Sequence, residues 1–150
     1  LGVPFDRRGQ RTGEYIAALR EMWTTEETSF AGEFVNWERV MSFPKPHDGS
    51  PPIVVGGHSH AAARRAGRLG DGFFPGRQEI LGELIETMRT TAESAGRDPD
   101  AIEITTGAAM SPEKREALVE LGVSRMVFPP PAFTPDEIGP AIERTLDFLS

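Results

Sequence analysis

Residues 51–75 read Pro51-Pro52-Ile53-Val54-Val55-Gly56-Gly57-His58-Ser59-His60-Ala61-Ala62-Ala63-Arg64-Arg65-Ala66-Gly67-Arg68-Leu69-Gly70-Asp71-Gly72-Phe73-Phe74-Pro75. The pattern is strand, glycine turn, helix, strand. Ile53 to Val55 is a short, fully apolar, β-branched run, as expected of a parallel strand covered on both faces. Gly56 and Gly57 allow a sharp turn and a close backbone approach by a ligand. Ser59 is an N-cap candidate for a helix whose inner positions are mostly alanine. Such a helix start offers free N–H groups and a positive dipole end, which suits a phosphate. A glycine pair equally serves a tight strand-to-helix turn with no ligand, and both readings stand at this point.

The flanking sequence repeats this grammar. Gln10 to Thr24 places Tyr15, Ile16, Leu19, Met22 and Trp23 on one helical face, and ordinary core packing is expected for Tyr15 and Trp23. Thr28 to Phe43 suggests two strands around Ala31-Gly32-Glu33, and Lys45 to Pro52 an extended, exposed connector. Phe73 to Pro75 predicts the next short strand, and Gly76 to Ala95 a long helix closed by Gly96. Ala101 to Met110 predicts a strand in which Ile102 and Ile104 alternate with Glu103 and Thr105, leaving one face less apolar. Ser111-Pro112-Glu113 is a helix start, with Ala117, Leu118 and Leu121 expected inside and Gly122 at the end. Arg125 to Phe128 is the last strand, stopped by Pro129-Pro130-Pro131. A final helix is announced at Thr134-Pro135, with its main run expected from Pro140 and a buried stripe of Ile142, Leu146 and Leu149. Strands alternating with helices imply a parallel sheet with right-handed crossovers.

The stretch P-P-I-V-V-G-G-H-S followed by R-A-G-R-L-G-D-G-F-F-P resembles the bacterial luciferase-like family of flavin-dependent monooxygenases and deazaflavin-dependent oxidoreductases. Further likeness lies in Gly2 to Phe5, Arg7-Arg8-Gly9, Tyr15 to Thr24, Phe30 to Phe34, Phe43 to Pro46 and Glu120 to Phe128. The resemblance implies an α/β fold, the C-terminal half of a (β/α)8 TIM barrel with strands five to eight and a β-hairpin insertion. A complete barrel takes about 250 residues, and the chain has 150, so it is expected to hold the part of the barrel after strand four. Residues 1–27 would carry the helix after strand four, residues 28–46 the hairpin, and residues 51–150 four βα units.

The same resemblance implies that Gly56, Gly57, His58 and Ser59 line the phosphate end of a flavin-type cofactor, either coenzyme F-420 (a deazaflavin) or FMN. Phe74 and Arg77 come at the end of the next strand and join the candidate cofactor site. Arginine-rich, high-Ala and high-Gly composition leans slightly to the deazaflavin. With FMN, a partner reductase is expected. The substrate would be a small organic molecule, and hydride chemistry would belong to the cofactor ring. No catalytic residue is assigned: the family's acid/base residues come from early strands.

Other classes are disfavoured. The chain has no cysteine, so thiolate nucleophiles, disulfides and zinc–thiolate sites are excluded. A net charge of −7 argues against a nucleic-acid or anionic-membrane surface. No apolar run nears the ~20 residues that span a bilayer, and nothing resembles a signal peptide, so a cytoplasmic location is expected. His58 and His60 have only His47 as a further histidine, too few for an argued metal site. Arg64, Arg65 and Arg68 are expected on the helix exterior or paired with acids. A contrasting reading is non-catalytic: a half-barrel with open strand edges that forms a homodimer through strand five or strand eight.

Overall fold

The computed structural model describes residues 2, 4–76, 78–109, 111–128 and 132–149. Its elements are α1 (Arg8–Thr24), β1 (Glu27–Ala31), β2 (Asn36–Met41), β3 (Val54–Gly56), α2 (His60–Leu69), β4 (Gly72–Phe74), α3 (Leu81–Ser94), β5 (Glu103–Gly107), α4 (Pro112–Glu120), β6 (Arg125–Val127) and α5 (Pro135–Leu149). They fall into two compact units, Leu1–Ile104 and Thr105–Ser150. β5 gives its first two residues to the first unit and its last three to the second.

In the first unit the parallel strands follow the order β3-β4-β5. Val54, Val55 and Gly56 pair with Gly72, Phe73 and Phe74, and Gly72 and Phe73 pair with Glu103 and Ile104. The core is Phe73, Leu84, Met88 and Ile104 with Ala63, Ala66 and Ala92. Alanine and glycine on α2 let it lie close to α3: a Cβ at Gly67 would overlap the Met88 carbonyl oxygen. α3 ends in a Schellman motif, where Arg97 N donates to Ala92 O and Gly96 N to Glu93 O, with Gly96 at φ 70°.

The hairpin of β1 and β2 is antiparallel, with an irregularity between Thr28 and Phe30 and a stacked Phe30–Trp37 pair. A two-stranded hairpin is marginal alone. This one is tied to α1 by Glu14, whose carboxylate accepts the N–H groups of Glu33, Phe34 and Val35 at 3.0, 2.7 and 2.8 Å. The connector is also tied: Lys45 Nζ donates to Met22 O and Thr25 O, each at 2.7 Å. These are carbonyls at the negative end of α1, where a cation is favoured.

In the second unit Thr105, Thr106 and Gly107 pair with Arg125, Met126 and Val127. Ser111 caps α4 by accepting the Lys114 N–H at 3.4 Å. α4 closes in a second Schellman motif, Val123 N to Leu118 O and Gly122 N to Val119 O, with Gly122 at φ 90°. Leu118, Val123 and Ala141 are buried with both threonines.

Several expectations are corrected. Strand β3 starts at Val54, and it is not covered on both faces: Val55 packs its Cγ2 against Gly70, while Val54, on the opposite face, is 48% exposed. Successive residues of a strand point to opposite faces, so one covering layer buries only one of them. Tyr15 is 41% exposed, and the buried residues of α1 are Ile16 and Ala18. On β5 the less apolar side is buried anyway, because threonine keeps a β-branched methyl for packing. Of the three α4 residues expected inside, only Leu118 is buried; Ala117 and Leu121 are exposed. α5 runs unbroken from Pro135 through Pro140, since the helix gives up one hydrogen bond there without losing its turn. Its Ile142 and Leu146 are 46% and 58% exposed, and Ala141 is the buried residue instead. The Pro129–Pro131 stop lies outside the described residues.

Candidate functional site

The loop between β3 and α2 sits at the C-terminal end of a parallel strand, where ligands bind in such sheets. Its two glycines differ. At Gly57 the backbone has φ 143°, and an added Cβ would stand 2.7 Å from Ala62 Cβ. At Gly56 an added Cβ would meet nothing within 4 Å. The Gly57 N–H donates to Phe74 O at 3.2 Å, which fastens the loop to the end of β4.

Ser59 has extended backbone angles (φ −130°, ψ 155°), and its Oγ accepts the Ala62 N–H at 3.3 Å. Its carbonyl accepts the Ala62 and Ala63 N–H groups at 2.9 and 3.0 Å. The N–H groups of His60 and Ala61, in the first turn, have no carbonyl available within the helix. The result is a capped helix start with donors directed outward beyond a glycine turn, the chemistry that holds a phosphate.

The loop borders a groove of about 920 Å³ between β3, α2 and the start of α1. Gly56, Gly57, His58 and Ser59 line it. Phe74 stands at the end of β4 and reaches the loop through its carbonyl. Arg77 lies outside the described residues. His58 is exposed and lies against Gly76, and His60 Nδ1 is 2.8 Å from Thr87 Oγ1, so the two histidines engage different neighbours. Among the described residues no group of three histidines or acids is placed to hold a metal ion.

Arg7, Arg8 and Arg65 also line the groove, and the sequence reading did not place them there. Arg7 is engaged by Glu33 at 2.6 Å and stands over the Phe34 ring. Arg8 stacks on Phe5. Arg65 contradicts its expected place on the exterior or beside an acid. It is half-buried, its guanidinium lies over Gly9, and it makes no ion pair with any described residue. The cause is local: Gly9 has no side chain, so the guanidinium occupies that space. Burial, then the charges of Arg68 and Arg8, push the Arg65 guanidinium below its ordinary value. The available signal was the juxtaposition of Arg8-Gly9 with Arg64-Arg65 near one turn, which only pairing of α1 with α2 reveals.

A parallel α/β arrangement with a capped glycine loop at a strand's C-terminal end defines the class, an α/β protein. The chain belongs to the luciferase-like monooxygenase family, whose model matches residues 1–131. It is 35% identical over 103 residues to the F420-dependent glucose-6-phosphate dehydrogenase of Gordonia bronchialis, covering 66% of this chain and 30% of that protein. It is 29% identical over 145 residues to an uncharacterised protein of Mycobacterium tuberculosis, covering 95% of this chain and 51% of that one. Among solved structures it resembles an F420-dependent secondary alcohol dehydrogenase in complex with an F420-acetone adduct. That likeness has TM-score 0.63 and 17% identity, with 99% of this chain and 56% of the other covered. The chain thus spans about half the length of the mycobacterial relative and of the alcohol dehydrogenase, and its fold is that of a partial (β/α)8 barrel, the C-terminal half.

Proposed function

We propose that this chain is the C-terminal portion of a flavin-type oxidoreductase that holds the phosphate end of its cofactor at residues 56–59. The observation that carries the reading is the pairing of Gly57, in a backbone conformation that favours glycine, with the Ser59-capped start of α2. Gly57 clears the approach, Ser59 fixes the turn, and the His60 and Ala61 N–H groups face an incoming phosphate oxygen. The cofactor, when bound, supplies hydride chemistry from its ring. This chain's residues bind and orient its phosphate end, and no residue here is assigned to proton transfer.

Coenzyme F-420 is preferred over FMN, since two relatives matched in sequence are named as F420-dependent glucose-6-phosphate dehydrogenases. A small organic substrate and a cytoplasmic location accompany this reading. With FMN the protein would instead act as a monooxygenase fed by a reductase. Titrating the chain with both cofactors, followed by fluorescence, tests the assignment. Saturable binding that is lost in Gly57→Ala supports it; binding unaffected by that substitution overturns it.

A second reading, self-association without catalysis, is favoured by the exposed valines of the outer strands, Val54 on β3 and Val127 on β6. Exposed strand edges invite pairing. Sedimentation giving a dimer supports this reading, and a monodisperse monomer removes it.

A further inference from the structure

We infer that Asp48-Gly49 is a self-modification site, where the chain converts its own aspartyl linkage into an isoaspartyl one through a cyclic imide, and that the fold withholds the same reaction from Asp71-Gly72. The inference goes beyond the cofactor reading and does not rest on it.

The chain holds two Asp-Gly dipeptides, so the sequence alone offers two equal candidates. The reaction needs a carboxyl able to swing onto the following backbone nitrogen, and a nitrogen open to bond formation. Glycine favours the attack because no Cβ shields its nitrogen. A bond forms between Gly49 N and Asp48 Cγ, the nitrogen gives up its proton, and the carboxyl hydroxyl leaves as water. Water then opens the imide. Addition at the side-chain carbonyl restores aspartate. Addition at the main-chain carbonyl breaks its bond to Gly49 N, so the chain runs on through Cβ and Cγ and gains a free α-carboxylate. One water leaves and one returns, and nothing is oxidised or reduced.

Asp71-Gly72 lacks both freedoms. Asp71 Oδ2 is held by Arg20 Nη2 at 2.6 Å and by the Ile53 N–H at 2.8 Å. The Gly72 N–H donates to Ile53 O at 3.2 Å, and Gly72 is buried between its β3 and β5 neighbours. Asp48-Gly49 has both. The two residues are exposed in the turn of the connector. Among the described residues neither the Asp48 carboxylate nor the Gly49 N–H has a hydrogen bond or ion pair. Gly49 has φ 82°, and an added Cβ there would meet nothing within 4 Å, so no neighbour bars ring closure. The same positive φ favours glycine, so the turn itself keeps the reactive pair together. The connector is fastened on both sides, by Lys45 Nζ on Met22 O and Thr25 O and by the Ile53 N–H on Asp71. One extra backbone carbon between these points is taken up in the exposed turn and leaves the strand pairing in place.

The test ages the whole protein in warm neutral buffer over weeks, digests it, and locates isoaspartate by electron-transfer fragmentation. Product is expected at Asp48. At Asp71 it should form at least about tenfold more slowly, because opening against hydrogen bonds to a charged group costs that factor or more. In urea above the unfolding transition the two sites should react within about threefold of each other, since the folded contacts are then gone. Arg20→Gln should speed the Asp71 site and leave Asp48 unchanged, and Asp48→Glu should abolish the product at that position. Should Arg20→Gln fail to fold by circular dichroism, the urea comparison in the parent decides. Equal rates in the folded protein, or a faster Asp71, overturn the inference. So does absence of product at Asp48 in the folded protein, whether or not urea releases it. A disparity that persists unchanged in urea assigns the selectivity to local sequence and overturns the role given to the fold.

Discussion

Asp71 Oδ2 lies 2.6 Å from Arg20 Nη2, and the same oxygen accepts the Ile53 N–H at 2.8 Å. One carboxylate in the Gly-Asp-Gly turn thereby joins α1 to the segments leading into β3 and β4. The neighbouring carbonyls at the end of α2 are held by the same arginine and one more: Arg20 donates to Leu69 O, and Arg97 donates to Gly67 O and Gly70 O. Cations here also meet the negative end of the helix dipole. The motif's aspartate is a structural joint between elements far apart in sequence.

Asp71→Asn should destabilise the fold by about 2 kcal/mol, the scale of hydrogen bonds to a charged group, discounted because both side chains are one-third exposed. Partial burial by itself would raise the Asp71 carboxyl. Hydrogen bonds from Arg20 and the Ile53 N–H, with the charges of Arg20 and Arg97, outweigh it and hold the group below its ordinary value. A depressed folded-state value means stability that is present above the ordinary aspartate value and lost as pH falls through the folded one. Urea denaturation at pH 7 and at descending acid pH should show this loss in the parent and a flatter profile in Asp71→Asn.

Glu14 should act as an acid-sensitive latch for the hairpin. Desolvation works against its ionised form, but three backbone N–H donors prevail and lower its value. The sign is the same as for Asp71: the latch holds above the ordinary glutamate value and opens as pH falls through the lowered one. Amide exchange at Glu33, Phe34 and Val35, corrected for the intrinsic pH dependence of exchange, should lose its protection on acidification. It should lose it already at neutral pH in Glu14→Gln. Protection unchanged in that variant would refute the latch.

The two loop glycines should respond unequally. Gly57→Ala meets both a positive φ and Ala62 Cβ, a strain of about 1–3 kcal/mol. Gly56→Ala adds a methyl in open space. Thermal unfolding should separate the two, with Gly56→Ala close to the parent. Ser59→Ala, which deletes the cap, should cost about 1 kcal/mol.

Gly67→Ala should destabilise through helix packing, not through the loop. Its methyl would run into the Met88 carbonyl and come within 3.0 Å of Ala92 N, backbone atoms that cannot rotate away. A loss of about 1–3 kcal/mol is expected, as for overpacked cores. Phosphate binding by the folded fraction should be unchanged, a separation that calorimetry below the melting transition can check.

The order of elements and most of their ends are legible in the chain itself, because they depend on chemistry within a few residues. Ser59 and Ser111 cap the helices they precede, Gly96 and Gly122 close the helices before them, and Ile53 to Phe74 holds the strand–turn–helix–strand step that Gly56–Ser59 completes. Burial is not legible in the same way. Tyr15, Leu121, Ile142 and Leu146 share the apolar spacing of core residues, yet exposure depends on the surface another element brings to that face. Folding in three dimensions gave Asp71 its partner 51 positions away and set Arg65 over Gly9, with no acid paired to it among the described residues. Caps and turns are settled by local backbone geometry; which charge meets which, and which is left facing a groove, is settled by the packing of helices distant in the chain.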